Sequence, residues 1–170
     1  MTVPLVFCID LEPDDRLGEI GPSREWRGFD ATFATLSAWR LAFEESTGRT
    51  ARFSWFVRLD PQIARLYGSA AWPLERYSMY FDEVLDRGDV VGLHTHAFRW
   101  LEGERKWVTD HGDQGWIEKC LEISFETYRK HLGSKCETFR FGDRFTNTAT
   151  INTLERLGVR VDLTPEPLHP

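Results

Sequence analysis

The sequence predicts an α/β domain built on a mostly parallel sheet, and two observations carry that expectation. Short apolar runs of strand length alternate regularly with longer stretches of helical periodicity. The helical stretches end in a glycine a few residues before the next strand, at Gly48, Gly88, Gly133 and Gly158, where a left-handed residue closes a helix. Strand and helix in strict alternation give parallel neighbours joined by right-handed crossovers. A barrel and an open sheet share this pattern, and in both the ligand sits at the carboxyl ends of the strands.

In chain order, Val3 to Asp10 reads as a buried strand stopped by Glu12-Pro-Asp-Asp-Arg16. A helix begins near Asp30, with Phe29, Phe33, Leu36, Arg40 and Phe43 at helical spacing and Gly48 after its end. Phe53, Trp55 and Val57 alternate with Ser54, Phe56 and Arg58, so a second strand runs to about Asp60, where Pro61 opens a short helix. A loop containing Trp72 and Pro73 follows. Tyr77, Phe81, Val84 and Leu85 make a helical stripe ended by Gly88, and Val90 to His96 is the third strand. Ala97 to His111, rich in charge and tryptophan, reads as a long loop. Ile117, Leu121, Phe125, Tyr128 and Leu132 mark a helix capped by Asp113 and stopped by Gly133. Thr138 to Gly142 is the fourth strand. Ile151, Leu154 and Leu157 give a helix closed by Gly158, and Val159 to Leu163 is the fifth strand.

The carboxyl ends of these strands collect Asp10 with Glu12, Arg58 with Asp60, His94 with His96, Arg140 with Asp143, and Asp162. His94 and His96 are the centre of the reading. Side chains two apart on a strand share a face, whereas on a helix they lie about 200° apart around the axis. Two neutral imidazoles with a carboxylate suit a divalent transition metal, zinc being the expected one, with a position left for water. Asp10 and Glu12, also two apart, can supply a ligand and a separate base. Asp10 as a turn cap, and Glu12 and Asp14 as solvated charges, are the structural alternatives. Arg140 lies between Phe139 and Phe141, so its guanidinium needs a carboxylate. Asp10 is the expected partner, and Asp143 or Asp162 the alternatives. Arg58 and Asp60 read as a structural pair.

The 170 residues, 41% of them hydrophobic, suffice for a real core in one domain. A net charge of −6 with no Lys/Arg run argues against nucleic acid as a partner. Cys8, Cys120 and Cys136 show no Cys-x-x-Cys spacing and read as reduced packing residues. The apolar stretch from Pro4 to Ile9 is too short for a signal core, so no membrane association and a cytoplasmic location are expected. Trp26, Trp72, Trp100 and Trp107 fall in expected loops, where indoles can stack on sugar rings. Trp100 and Trp107, with Asp143, are the expected substrate contacts.

Three stretches resemble the polysaccharide deacetylase (NodB-homology) family of carbohydrate esterases, and the resemblance extends over essentially the whole chain. Phe7-Cys-Ile-Asp-Leu-Glu12 is similar to the family's first motif, Asp89-Val-Val-Gly-Leu-His-Thr-His96 to its histidine motif, and Phe139-Arg-Phe-Gly-Asp143 to its arginine motif. Thr153-Leu-Glu-Arg-Leu-Gly-Val-Arg-Val-Asp162 is similar to the helix and strand that follow. The resemblance implies a metal-dependent enzyme that removes acetyl groups from N-acetylated sugars or polysaccharide, with a carbohydrate as its partner. It assigns Asp10 as the base, Arg140 as the group orienting it, and His94 as the first metal histidine. The family's second aspartate and second histidine fall at Leu11 and Phe98, so Glu12 and His96 must substitute.

The resemblance also implies a distorted (β/α) barrel of NodB-like type. About five βα strands are present and the barrel is incomplete: the chain stops at Pro170, where the family continues with further strands and a late histidine that acts as general acid. His169, among prolines, is not expected to replace it. Residues 1–170 are thus expected to be a single catalytic domain, as a fragment lacking the last strands. The alternatives are a non-catalytic glycan-binding or scaffold domain that has lost the metal triad at Leu11 and Phe98, or a barrel hydrolase of non-sugar amides or phosphoesters.

Overall fold

Residues 6–17 and 25–165 are described by the structure, a computed structural model. His169 lies outside them, as does the start of the first expected strand. The order is β1 (Cys8–Leu11), α1 (Arg27–Thr47), β2 (Ser54–Val57), α2 (Pro61–Tyr67), α3 (Trp72–Arg76), α4 (Ser78–Asp86), β3 (Val90–Thr95), β4 (Phe98–Leu101), β5 (Lys106–Thr109), α5 (Gln114–Leu132), β6 (Thr138–Phe141), α6 (Thr148–Leu157) and β7 (Val161–Asp162). A single 3-10 turn, Gly142–Arg144, follows β6.

Local chemistry sets the helix ends. Asp60 accepts hydrogen bonds from the backbone N–H of Gln62 and Ile63 and Pro61 occupies the first turn, so α2 starts there. Asp113 caps α5 through the N–H of Trp116, and Asn147 caps α6 through that of Thr150. Trp72 and Pro73, expected in a loop, form the short helix α3.

Five strands pair in parallel in the order β1-β2-β3-β6-β7. The order follows the chain without the reversal that marks a doubly wound sheet, which makes it the wall of a barrel. Among the described residues β1 and β7 do not pair with each other, so the wall is open. The helix-facing side carries the core, where Leu11, Trp55, Val57, Leu93 and Phe139 meet Phe29 and Phe33 of α1, Phe81 and Val84 of α4, and Ile117, Leu121 and Phe125 of α5. On the inner side Phe56 is fully buried against Gly92, where a Cβ would press into its ring. At the start of β3, buried Asp89 accepts from Phe53 N and Trp55 Nε1 and pairs with Arg40, tying α1 to the sheet. The three cysteines are free, Cys120 and Cys136 buried, as expected of packing residues.

The expected loop from Ala97 to His111 contains an antiparallel hairpin, β4 on β5, pairing Trp100 with Trp107 and Leu101 with Lys106. Each strand is only four residues long, and the charged run Glu102-Gly-Glu-Arg105 between them hides the alternation. No helix among the described residues is long and apolar enough to cross a membrane.

Candidate metal centre

The strand register builds the centre. Leu11 pairs with Val57, Val57 with Leu93, and His94 with Arg140. One residue further along, Glu12, Arg58, His94 and Arg140 fall in one row on the inner side, and Asp10 faces the same way two residues before Glu12. His96 follows the last residue of β3 and still converges. His94 Nε2 lies 3.0 Å from His96 Nε2, Glu12 Oε1 lies 3.3 Å from His94 Nε2, and Glu12 Oε2 lies 3.4 Å from His96 Nε2. Within this group one ligand atom from each residue lies within 4.8 Å of the others.

The other ring nitrogens fix the tautomers. His94 Nδ1 is 3.0 Å from the carbonyl oxygen of Arg140, which can only accept, and His96 Nδ1 is 3.3 Å from Asp143 Oδ2. Each Nδ1 therefore donates, and each Nε2 presents a lone pair. Two lone pairs at 3.0 Å beside a carboxylate repel one another unless a cation lies between them. The donor set fits zinc: tetrahedral ligands about 2.0–2.2 Å from the ion stand roughly 3.3 Å apart. Burial alone would raise the pKa of Glu12; rings that carry a second proton, on Nε2, would instead donate to Glu12 and, with their charge, hold its carboxyl far below the usual range against that effect. Asp143 is also held low, chiefly by His96 and against its burial, with Arg16 contributing.

Beside this trio, Arg140 Nε stands 3.5 Å from Asp10 Oδ2, and Asp10 Oδ1 is 3.9 Å from His94 Nδ1. Asp10, Glu12, Arg16, His94, His96, Arg140, Phe141, Asp143 and Arg144 line a cleft of about 320 Å³. Asp14 is elsewhere: it accepts from the N–H groups of Arg27 and Gly28 at the start of α1. Leu11 is buried in the core, and Phe98 stacks on the His96 ring at 4.7 Å and 7°. Glu12 and His96 thus stand beside His94 where Leu11 and Phe98 do not.

The tryptophan expectation needs correction. Trp107 is only 8% exposed and packs with Leu66 and Phe98 beneath the hairpin, because the hairpin turns one of its faces to the domain. Trp100 stacks edge-on against Trp107, and neither lines the cleft. With Trp116, Arg65 and Arg99 they border a separate groove. Trp26 is fully buried, and Trp72 stacks on Tyr67.

Three features were not anticipated. Arg16 bridges the cleft mouth, with Nε 3.1 Å from Glu12 Oε2 and Nη2 2.6 Å from Asp143 Oδ1. A Cβ at Gly142 would overlap the His96 ring, so only glycine lets β6 approach so closely. The pair Arg58–Asp60, both 0% exposed, is structural as expected, yet it also touches two of the converging residues. Asp60 accepts from the N–H of His96, and Arg58 Nη1 faces Glu12 Oε2 at 3.6 Å. The alternation Ser54, Phe56, Arg58 already carried the signal that Arg58 faces inward.

No protein-family profile matches the chain, and no curated protein does. Solved structures do. A family 4 carbohydrate esterase from Streptomyces lividans, in complex with acetate, aligns with a TM-score of 0.53 at 14% identity, covering 92% of this chain and 60% of its own. The peptidoglycan deacetylase PdaC from Bacillus subtilis aligns at 0.52 and 13% identity, over 93% of this chain and 56% of its own. A mutant of a CE4 family pseudoenzyme with restored enzymatic activity aligns at 0.54 and 9% identity, over 93% of this chain and 43% of its own. The chain spans about half the length of the structures it matches, and the likeness is one of fold: an α/β fold of the polysaccharide-deacetylase, NodB-like type.

Proposed function

We propose, from the fold shared with those esterases and deacetylases, that the chain carries the metal site of a hydrolase that removes acetyl groups from N-acetylated sugars. The observation that carries the reading is the convergence of Glu12, His94 and His96 beside the pair Asp10–Arg140. Glu12, His94 and His96 would hold a divalent transition metal, zinc by preference, which when bound supplies Lewis acidity and lowers the pKa of a water towards about 7. Asp10 takes the proton as the water attacks the acetyl carbonyl, the C–N bond then breaks to release acetate, and the leaving amine takes its proton from solvent. Arg140 holds Asp10 in place through its Nε, and its carbonyl oxygen holds the His94 ring in the tautomer that leaves Nε2 bare. Asp143 does the same for His96.

Metal analysis, together with an assay on acetylated chito-oligosaccharides with and without chelator, tests this. Zinc at one ion per chain and chelator-sensitive release of acetate are expected, and His94→Ala abolishes both. A chain that takes up no metal and releases no acetate sinks the reading.

The second reading is a non-catalytic glycan-binding domain. It is favoured by one observation: among the described residues lining the cleft, no group beyond the two metal-facing imidazoles offers a ready proton donor to the leaving amine. Glycan binding by calorimetry that is indifferent to chelator and to His94→Ala would select it.

A further inference from the structure

Arg16 joins two sides of the cleft that come from distant strands. Its Nε is ion-paired with Glu12 Oε2, on the segment that follows β1, and its Nη2 donates to Asp143 Oδ1, in the turn that follows β6. In the sheet β2 and β3 lie between those strands, so the guanidinium spans the mouth of the barrel wall. Asp143 turns its other oxygen to His96 Nδ1, and Glu12 Oε2 also faces His96 Nε2. The contacts thus close a ring, Glu12–Arg16–Asp143–His96, which takes in two of the three converging residues and the outer partner of one of them.

An arginine on a surface is ordinarily mobile, and its ion pairs contribute little. Arg16 is held at both ends. Its carbonyl oxygen accepts from Gln62 Nε2 at 2.8 Å, and the fully buried Gln62 is fixed in turn by Arg58 Nη2 on its Oε1 and by Asp60 on its backbone N–H. Its guanidinium lies 5.8 Å from the centre of the Phe98 ring, the same ring that stacks on His96. Asp143 meets it from a left-handed backbone with φ of 55°, a conformation that non-glycine residues rarely adopt and that gathers at functional sites.

We propose that Arg16 is a positioning residue of the metal centre, a clasp that fixes the Glu12 carboxylate beside the imidazoles and ties it through Asp143 to the His96 ring. This role rests on the metal-binding part of the reading above, not on hydrolysis. Holding the ligands in register raises affinity, and outer partners of this kind are worth about 10–100-fold in metal binding. The positive charge of Arg16 acts the other way, by repelling the cation. With the side chain 45% exposed, water screens that repulsion, so the register dominates.

Two variants separate the fork from the charge. Arg16→Gln removes both, whereas Arg16→Lys keeps the charge but replaces the fork by a single ammonium that cannot hold two carboxylates in fixed orientation. Zinc affinity, measured by competition with a chromophoric chelator, falls about tenfold or more in both. Cobalt(II) in place of zinc gives visible absorption bands that report ligand geometry, and these bands change in both variants. The urea midpoint of the metal-free chain stays at the wild-type value. Arg65→Gln, which removes a similarly exposed arginine paired with Glu102 away from the cleft, leaves zinc affinity and cobalt bands unchanged. Wild-type affinity and bands in both Arg16 variants, tighter zinc in Arg16→Gln, full recovery by Arg16→Lys, or a lowered urea midpoint with unchanged bands overturns the clasp. Acetate release is scored separately. A zinc-loaded wild-type chain that releases no acetate refutes only the hydrolase, an active chain whose Arg16 variants bind zinc normally refutes only the clasp, and a wild-type chain that takes up neither metal refutes both.

Discussion

Replacing Gly142 by alanine isolates the packing that holds His96 in place. A Cβ at residue 142 would overlap Cε1, Nδ1 and Nε2 of the ring, so the ring must retreat by about 1 Å to reach ordinary contact. It has nowhere to go: His96 is 1% exposed, and its other face is stacked on buried Phe98. Overpacking of this kind costs about 1–3 kcal/mol. With a urea dependence of about 2 kcal/mol per molar, the unfolding midpoint falls by about 1 M. The same displacement takes Nε2 out of register with His94 and Glu12, so zinc affinity falls by at least the roughly 10–100-fold that loss of an outer partner costs. Urea unfolding of the metal-free chain and zinc titration by calorimetry read the two effects separately. Gly103→Ala in the hairpin turn, where a Cβ meets nothing within 4 Å, leaves both at wild type. A Gly142→Ala chain with unchanged midpoint and zinc affinity would refute the reasoning.

Other expectations follow from the buried charges and thiols. Arg58→Met strands Asp60 in the interior and destabilises by about 3–5 kcal/mol in urea unfolding. Adding Asp60→Asn restores most of that, yet zinc affinity stays about tenfold low because Glu12 Oε2 has lost the facing guanidinium. If the double variant binds zinc normally, Arg58 has no part in holding Glu12. Asp89→Ala leaves Arg40 uncompensated and removes acceptors from Phe53 N and Trp55 Nε1, for a loss of about 3–5 kcal/mol; a loss under about 1 kcal/mol contradicts the buried network. Burial pushes the Cys136 thiol and the Tyr128 hydroxyl up to about 12. Both therefore stay protonated in the fold while the unfolded chain ionises first, so stability declines as pH rises from about 9 towards 12. At pH 8, Cys120 and Cys136 resist iodoacetamide until urea opens the fold, and Cys8 labels first; fast native labelling of Cys136 would count against the packing.

Most of the frame was legible in the chain itself. Gly48, Gly133 and Gly158 take the left-handed φ their spacing predicted, and Asp113 caps α5 as its position before the apolar stripe implied. These are local signals, settled by backbone sterics and by hydrogen bonds between residues a turn apart. His94 and His96 were paired correctly for the same kind of reason, since strand alternation alone puts them on one face. The hairpin at residues 98–109 escaped because four-residue strands carry too few alternations to read, and with it the burial of Trp107.

Whether the sheet winds as a barrel wall, which carboxylate meets the imidazoles, and why residue 142 is glycine all depend on strand register between segments far apart in the sequence. Glu12 reaches His94 across two intervening pairings, Leu11 with Val57 and Val57 with Leu93. Asp14, with the same charge two residues on, caps α1 instead. No local pattern separates the two acids, because a side chain's own propensities say nothing about which distant strand its neighbours will pair with, and that pairing sets the few ångströms on which a metal site depends.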